Sequence, residues 1–175
     1  MWLTFLDNFN GRAFFPSSRW ETSSTLELYT DAAPSKGYSA VFGRHWFGGA
    51  LPDAWHSFNI TFLELFPIVL AAHIWGSSMT NRYVLFFRDN AVLVDIINKQ
   101  TSKHKLVVVL LRDLVLSCLR YNILFRRRHV PGLQNSQADY ISRFQVESFK
   151  VIAPQADELQ TPVPANLLPE SWSLI

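Results

Sequence analysis

The chain has 175 residues, of which 49% are apolar, and this length suits one domain with a substantial core. Its formal net charge of +2 argues against a general polyanion-binding field, and its single cysteine, Cys118, excludes an intrachain disulfide and a cysteine-based zinc site. The N-terminus lacks a secretory signal and the apolar region Ile60–Trp75 is interrupted by Glu64, Pro67 and His73, so we expect an intracellular protein, cytoplasmic or nuclear, with no membrane span.

The first half of the chain predicts an antiparallel β-meander. Leu26–Thr30 alternates apolar and polar residues, as a half-buried strand does, and runs into Asp31. Ala33–Gly37 has the composition of a turn, and two further strands are predicted at Tyr38–Arg44 and His45–Gly49. Because the links between them are short, these three strands are expected to pair antiparallel.

The second half alternates helices with strands, which is typical of an α/β protein. Helices are predicted at Leu63–Gly76, about 91–99, Lys103–Tyr121 and Ser136–Phe144, and strands at Tyr83–Arg88 and Asn122–Val130. Together with the meander, these helices and strands predict an α/β fold with a mixed five-stranded sheet that has helices on both faces. The first three strands of this sheet are expected to be antiparallel and the last two parallel. We expect the domain at residues 25–145, between a lead-in segment (1–24) and a proline-containing tail or linker (146–175).

Four carboxylates fall where predicted elements begin or end. Asp31 ends the first strand, Glu64 begins the first helix, Asp89 follows the fourth strand, and Asp139 opens the last helix. Neighbouring parallel strands end at one edge of a sheet, where ligands bind, and packed helices can add further acids there. Crowded carboxylates repel one another unless cations neutralise them, and hard oxygen ligands select Mg²⁺ or Mn²⁺. Two such ions, about 4 Å apart, promote phosphodiester cleavage.

Glu64 also has a structural explanation. Thr61-x-x-Glu64 matches a capping box, in which the glutamate would serve the helix N-terminus. Pro67 argues against a helix capped at Thr61, because a proline beyond the first turn lacks an N–H that the helix needs. A helix start nearer Leu63 or Glu64 is therefore favoured.

The other three acids differ in how readily structure alone accounts for them. Asp31 precedes Ala-Ala-Pro, as an ordinary turn aspartate would, and Ser136-x-x-Asp139 matches a second capping box. Asp89 follows an apolar strand with no capping motif beside it, so a structural role explains it least well.

As a set, these residues resemble the ribonuclease H domain of retroelement polymerases, over about residues 25–145. The matching segments are Tyr29–Ala32, Glu64–Leu65, Asp89–Asn90, His129–Gly132, Asn135 and Ala138–Arg143. The flanking segments, among them Glu64–Ile68 and Trp75-Gly76, look like those of DIRS-type tyrosine-recombinase retrotransposons, in which such a domain follows the reverse transcriptase.

The resemblance implies a ribonuclease H-like three-layer fold and hydrolysis of the RNA strand of RNA–DNA hybrids by two metal ions. It assigns catalytic and metal-ligand roles to Asp31, Glu64, Asp89 and Asp139, with Mg²⁺, or Mn²⁺, as cofactor. It also implies the reverse transcriptase domain of the same polyprotein as a partner. His129, ten residues before Asp139, is a candidate for the family's proton-shuttle histidine, or else a strand-end residue.

The densest positive run, Arg126–His129, falls on the last predicted strand. It predicts either phosphate contact beside the catalytic edge or a solvated strand face that discourages aggregation. The candidates for nucleic-acid binding are Arg128 of this run and three residues that adjoin the proposed metal ligands, Asn90, Asn135 and Arg143.

Two other functions stay open. A decayed or domesticated copy would be a catalytically inactive module that binds nucleic acid or another protein. Another nuclease, or an integrase, would share the same fold. Retention of four separated acids favours an active enzyme, and Asn135 ahead of Ala138-Asp139 favours ribonuclease H over an integrase.

Overall fold

A computed structural model describes residues 3, 6–7, 20–88, 91–129 and 135–172, and of residues 20–24, 85–88, 91 and 127–129 it describes the backbone only. In these ranges the strands are β1 (Trp20–Thr22), β2 (Leu28–Ala33), β3 (Gly37–Phe42), β4 (His45–Ala50), β5 (Tyr83–Arg88) and β6 (Leu124–His129). The helices are α1 (Ser23–Leu26), α2 (Ile60–Trp75), α3 (Ala91–Lys99), α4 (Lys105–Arg120), α5 (Ser136–Ser142) and α6 (Val146–Ile152).

The strands form one antiparallel and one parallel sheet. β2, β3 and β4 make the predicted antiparallel meander, with Asp31 opposite Ser39. β5 lies between β1 and β6 and runs parallel to both. The predicted mixed α/β class is confirmed. β1 is an additional strand from the predicted lead-in, and the six described strands pair as two sheets of three strands each.

Helix α2 is the centre of the core. Among the described residues one stretch, Ile60–Met79, is long and apolar enough to cross a membrane, with a mean hydropathy of 1.5. This differs from the expectation that its three polar residues would interrupt any membrane span. However, 72% of that stretch is buried inside the protein, where α2 packs between the meander and α4. Its hydropathy is therefore that of a core helix.

The start of α2 corrects one sequence-based prediction. The helix begins at Ile60, and the Asn59 side chain accepts a hydrogen bond of 2.8 Å from the Thr61 N–H, so Asn59 is the N-cap. The predicted start near Leu63 is wrong because the helix tolerates Pro67 in its interior, where burial of its apolar side chains outweighs one lost hydrogen bond. The capping-box explanation for Glu64 fails as well, since Thr61 does not cap the helix.

The two faces of the meander carry separate apolar cores. Leu28 and Ala32 of β2 belong to the large core built around α2. Val41 and Trp46, from β3 and β4, pack on the other face in a smaller cluster with residues of α5 and α6, among them Phe149. Side chains alternate between faces along a strand. The meander thus separates α2 from α5 and α6.

The segment predicted as a tail or linker packs along β4. The Asp157 N–H donates to the Arg44 carbonyl at 2.8 Å, and the Thr161 N–H donates to the Trp46 carbonyl at 2.7 Å. The Asp157 carboxylate lies 2.5 Å from both Arg44 Nε and His45 Nδ1, and the Arg44 hydrogen bond, with that of His45, lowers the pKa of Asp157. The tail thereby covers the edge of the meander, which would otherwise offer unpaired backbone groups.

Candidate active site

Strand β2 brings Asp31 to the face of the meander on which α5 lies. Tyr29, two residues earlier, packs against the smaller apolar cluster, and Ser39, opposite Asp31, hydrogen-bonds to α5. Alternation along β2 places Asp31 on the same face as Tyr29. Asp31 is half-buried there, two residues before the strand ends at Ala33.

Helix α5 is fastened to this face by polar side chains. Three hydrogen bonds of 2.7 Å cross the contact: from Ser39 Oγ to the Ala138 carbonyl, from Asn135 Nδ2 to the Thr30 carbonyl, and from Ser142 Oγ to Asp31 Oδ2. All three span about a hundred residues of sequence, so they define the tertiary position of α5. The last of them links the helix that carries Asp139 directly to the Asp31 carboxylate.

Close packing at this contact depends on Gly37. A Cβ there would lie 2.5 Å from the Gly49 carbonyl oxygen and 2.9 Å from the Ser142 carbonyl oxygen, and neither backbone atom can move aside alone. We expect Gly37→Ala to lower the free energy of unfolding by about 1–3 kcal/mol, through overpacking. Urea denaturation would measure it. Lys36→Ala, on the exposed neighbouring residue, is the control, and equal stability of both variants would contradict this account.

Asp139 and Asp31 share a cationic neighbour. Arg143 Nε donates to Asp139 Oδ1 at 2.8 Å, one helical turn away. That hydrogen bond is the main cause that raises the pKa of Arg143, and the charges of Asp139 and Asp31 raise it further. The predicted capping box is not formed, because the Asp139 side chain pairs with Arg143 and the N-cap residue, Asn135, makes no side-chain capping bond.

Helix α2, which carries Glu64 in its second turn, packs on the other face of the meander from α5. The N-terminal half of α2 is at the end of the meander where Asp31 lies, since the ring of Phe66 contacts that of Tyr38, with centroids 5.0 Å apart. Tyr38 is opposite Ala32, the residue after Asp31. Glu64 is half-buried, and its membership of the site stays a prediction.

Several predicted site residues lie outside the described part of the chain. Asp89 and Asn90 fall in the gap after β5, and of Arg128 and His129 only the backbone, at the end of β6, is described. Their predicted roles in metal binding, nucleic-acid binding and proton transfer therefore stay predictions. Arg126, in the same basic run, is exposed on β6.

Two serines at the site had no predicted role. Ser142 follows Asp139 by three residues, a spacing that places both on one side of a helix, and this was the available signal. Ser39 lies opposite Asp31, a pairing that depends on the register between β2 and β3. Neither hydrogen-bond partner follows from local sequence, because each lies about a hundred residues away.

The side chains at this site include oxygen atoms of the type that small divalent cations bind. Within residues 20–88, 91–129 and 135–172, no three His, Cys, Asp or Glu side chains form a metal-binding group. Mg²⁺, however, usually takes one or two carboxylates from a protein and completes its shell with water and substrate phosphate. Asp31 and Asp139 supply two carboxylates. Beside them Asn135 Oδ1 is buried and has no hydrogen-bond partner in the described part of the chain.

Comparison with known proteins identifies the fold. No family model matches the chain, and no curated protein matches it. Among solved structures it is similar to the N-terminal RNase H domain of Rv2228c from Mycobacterium tuberculosis, studied as a fusion with maltose-binding protein. The two share 14% identity with a TM-score of 0.54, and the match covers 72% of this chain and 96% of that chain. It is also similar to RNase H1 from the archaeon Halobacterium salinarum, with 11% identity, a TM-score of 0.50, and coverage of 69% and 95%.

The chain therefore has a ribonuclease H-like fold, and the fold implied by the sequence resemblance is confirmed. Nearly the whole length of both solved domains is matched, so the likeness extends over the complete fold. At 11% and 14% identity it concerns the arrangement of helices and strands, and the chemistry has to be argued from the side chains.

Proposed function

We propose that this protein is a metal-dependent ribonuclease H, which hydrolyses the RNA strand of RNA–DNA hybrids by a two-metal-ion mechanism. The observation that carries the proposal is the hydrogen bond from Ser142 Oγ to Asp31 Oδ2. It joins the strand of one predicted metal ligand to the helix of another, Asp139, within a ribonuclease H-like fold. This contact supports a common site for two acids that are far apart in the sequence.

In this proposal Asp31 and Asp139 hold Mg²⁺, and Glu64 and Asp89 complete the set. When bound, Mg²⁺ would supply an activated water and would neutralise charge on the phosphate. The carboxylates of the chain position that chemistry, and their mutual repulsion gives the site its preference for cations. His129 is proposed as the group that shuttles a proton.

Arg143 is the proposed phosphate contact nearest the carboxylates. Its guanidinium is 46% exposed and uses Nε for Asp139, so it is accessible to a ligand at the surface. A guanidinium has five N–H donors in a planar fork, a geometry that matches phosphate oxygens. Asn90, Asn135 and Arg128 are proposed as further contacts to the nucleic acid, which would position the backbone of the hybrid.

We further propose that the domain works within a retroelement polyprotein, of the DIRS type, beside its reverse transcriptase. The motif series from Asn135 through Asp139 to Arg143 supports this, as does the modest net charge of +2, which suits a domain that shares substrate binding with a neighbour. An intracellular site, cytoplasmic or nuclear, is proposed because the reaction accompanies reverse transcription.

The substrate test compares four labelled substrates of one sequence. Purified protein is incubated with Mg²⁺ and with an RNA–DNA hybrid labelled on its RNA strand, the same hybrid labelled on its DNA strand, a DNA duplex, or an RNA duplex. We expect cleavage of the hybrid's RNA strand alone, and its loss when EDTA removes the metal.

The pattern of cleavage separates the competing functions. Folded protein that binds the hybrid without cutting it would support the inactive, domesticated module. Equal cutting of the DNA duplex would indicate another nuclease on the same fold.

A further inference from the structure

Ser142 has a hydrogen-bonding environment that a simple structural serine does not need. Its side chain is completely buried, and its Oγ lies 2.7 Å from Asp31 Oδ2 and 3.0 Å from the carbonyl oxygen of Asp139. A hydroxyl has one proton to donate. The carboxylate receives it preferentially, because hydrogen bonds to charged acceptors are shorter and stronger than neutral ones.

Ser39 provides an internal comparison. It is also completely buried, and its Oγ makes a 2.7 Å hydrogen bond across the same contact between α5 and the meander. Its acceptor is the backbone carbonyl oxygen of Ala138, which carries no net charge. Both serines therefore help to dock α5, but only Ser142 acts on an ionisable side chain.

We propose that Ser142 is a positioning residue of the cation site, which fixes the orientation of the Asp31 carboxylate before a divalent ion binds. The inference rests on the proposed function, because it takes Asp31 as a metal ligand. The bond restricts the side-chain rotamers of a half-buried aspartate, and a ligand that is ordered before the ion arrives costs less of the free energy of binding. Hydrogen bonds from a neighbouring group orient metal ligands in this way, and their loss typically weakens metal binding by about 10–100-fold.

The test measures Mn²⁺ binding by isothermal titration calorimetry on the full chain, without nucleic acid. We expect Ser142→Ala to raise the Kd for Mn²⁺ by about tenfold or more. Ser142→Cys, whose side chain is slightly larger and offers only a weak S–H donor, should raise the Kd similarly and provides a second variant should the alanine protein fold poorly. Ser39→Ala is the matched control.

Urea denaturation of the same proteins separates positioning from docking. Both Ser142→Ala and Ser39→Ala are expected to lower the urea concentration at the midpoint of unfolding to a similar extent, because each removes one buried hydrogen bond. Only the Ser142 variants should lose Mn²⁺ affinity, while Ser39→Ala stays within about twofold of the original chain, as expected when no metal ligand loses a partner.

The outcomes distinguish the two proposals. Failure of the unmodified chain to bind Mn²⁺ would overturn the cation site, and with it both proposals. Binding by the unmodified chain with an equal Kd in folded Ser142→Ala and Ser142→Cys would overturn the role of Ser142 alone. An equal loss of affinity in Ser39→Ala would also overturn it, because docking of α5 would then explain the effect.

Discussion

Asp31→Asn protein is expected to fold and to cleave the hybrid at least about a hundred times more slowly than the original chain. The reason is that a bound metal ion contributes several kcal/mol to such catalysis, and each 1.4 kcal/mol corresponds to a tenfold change in rate. The asparagine keeps a side-chain oxygen that can accept the hydrogen bond now made by Ser142, so the substitution removes the charge and little else. Loss of one negative charge relieves repulsion with Asp139, but it also weakens the attraction to Arg143 and the hydrogen bond from Ser142. Because these effects oppose one another, stability should change little.

The measurement combines the initial rate on labelled hybrid with urea denaturation, over a range of Mg²⁺ concentrations. Glu158→Gln, which removes a carboxylate on the C-terminal tail, serves as the charge-matched control and should keep the full rate. Asp31→Asn protein that cleaves at more than a tenth of the original rate would show that this carboxylate does not hold the catalytic ion. A loss of rate shared by both variants would point to net charge and not to the site.

Phe149→Ala is expected to cost about 3–5 kcal/mol of unfolding free energy, the range for deleting a buried aromatic side chain. Phe149 is completely buried in the smaller core, with its ring centroid 5.5 Å from that of Trp46. Ile141 of α5 belongs to the same cluster. Since domains of this size are stable by only about 5–15 kcal/mol, the loss would leave the protein marginal.

Urea or thermal denaturation would measure the effect, with Leu159→Ala as the control. Leu159 lies in the same C-terminal segment but is 81% exposed, so its truncation should change stability by no more than about 0.5 kcal/mol. A loss below about 1 kcal/mol in Phe149→Ala would mean that the small core is not part of the cooperative domain. The result would then limit the stable unit to the part of the chain before α6.

Residues 146–172 show where sequence patterns were least informative. Four prolines after Lys150 indicate an extended segment, yet α6 forms at Val146–Ile152 and buries Phe149. A helix of seven residues has little intrinsic stability, so its sequence carries almost no signal. Packing against Trp46, about a hundred residues away in the sequence, stabilises it.

The sequence by itself determined the meander, the strand at Tyr83–Arg88, and the placement of Asp31 on a strand and of Asp139 on a helix. These features depend on alternation, turn residues and helical periodicity, which are local. The predicted positions at the ends of these elements are wrong, because Asp31 lies two residues before the end of β2 and Asp139 is the fourth residue of α5. Only the tertiary structure decided that Ser142 hydrogen-bonds to Asp31 and that α2 and α5 lie on opposite faces of the meander. Contacts of that kind depend on strand register and helix docking across about a hundred residues, and no local pattern encodes them.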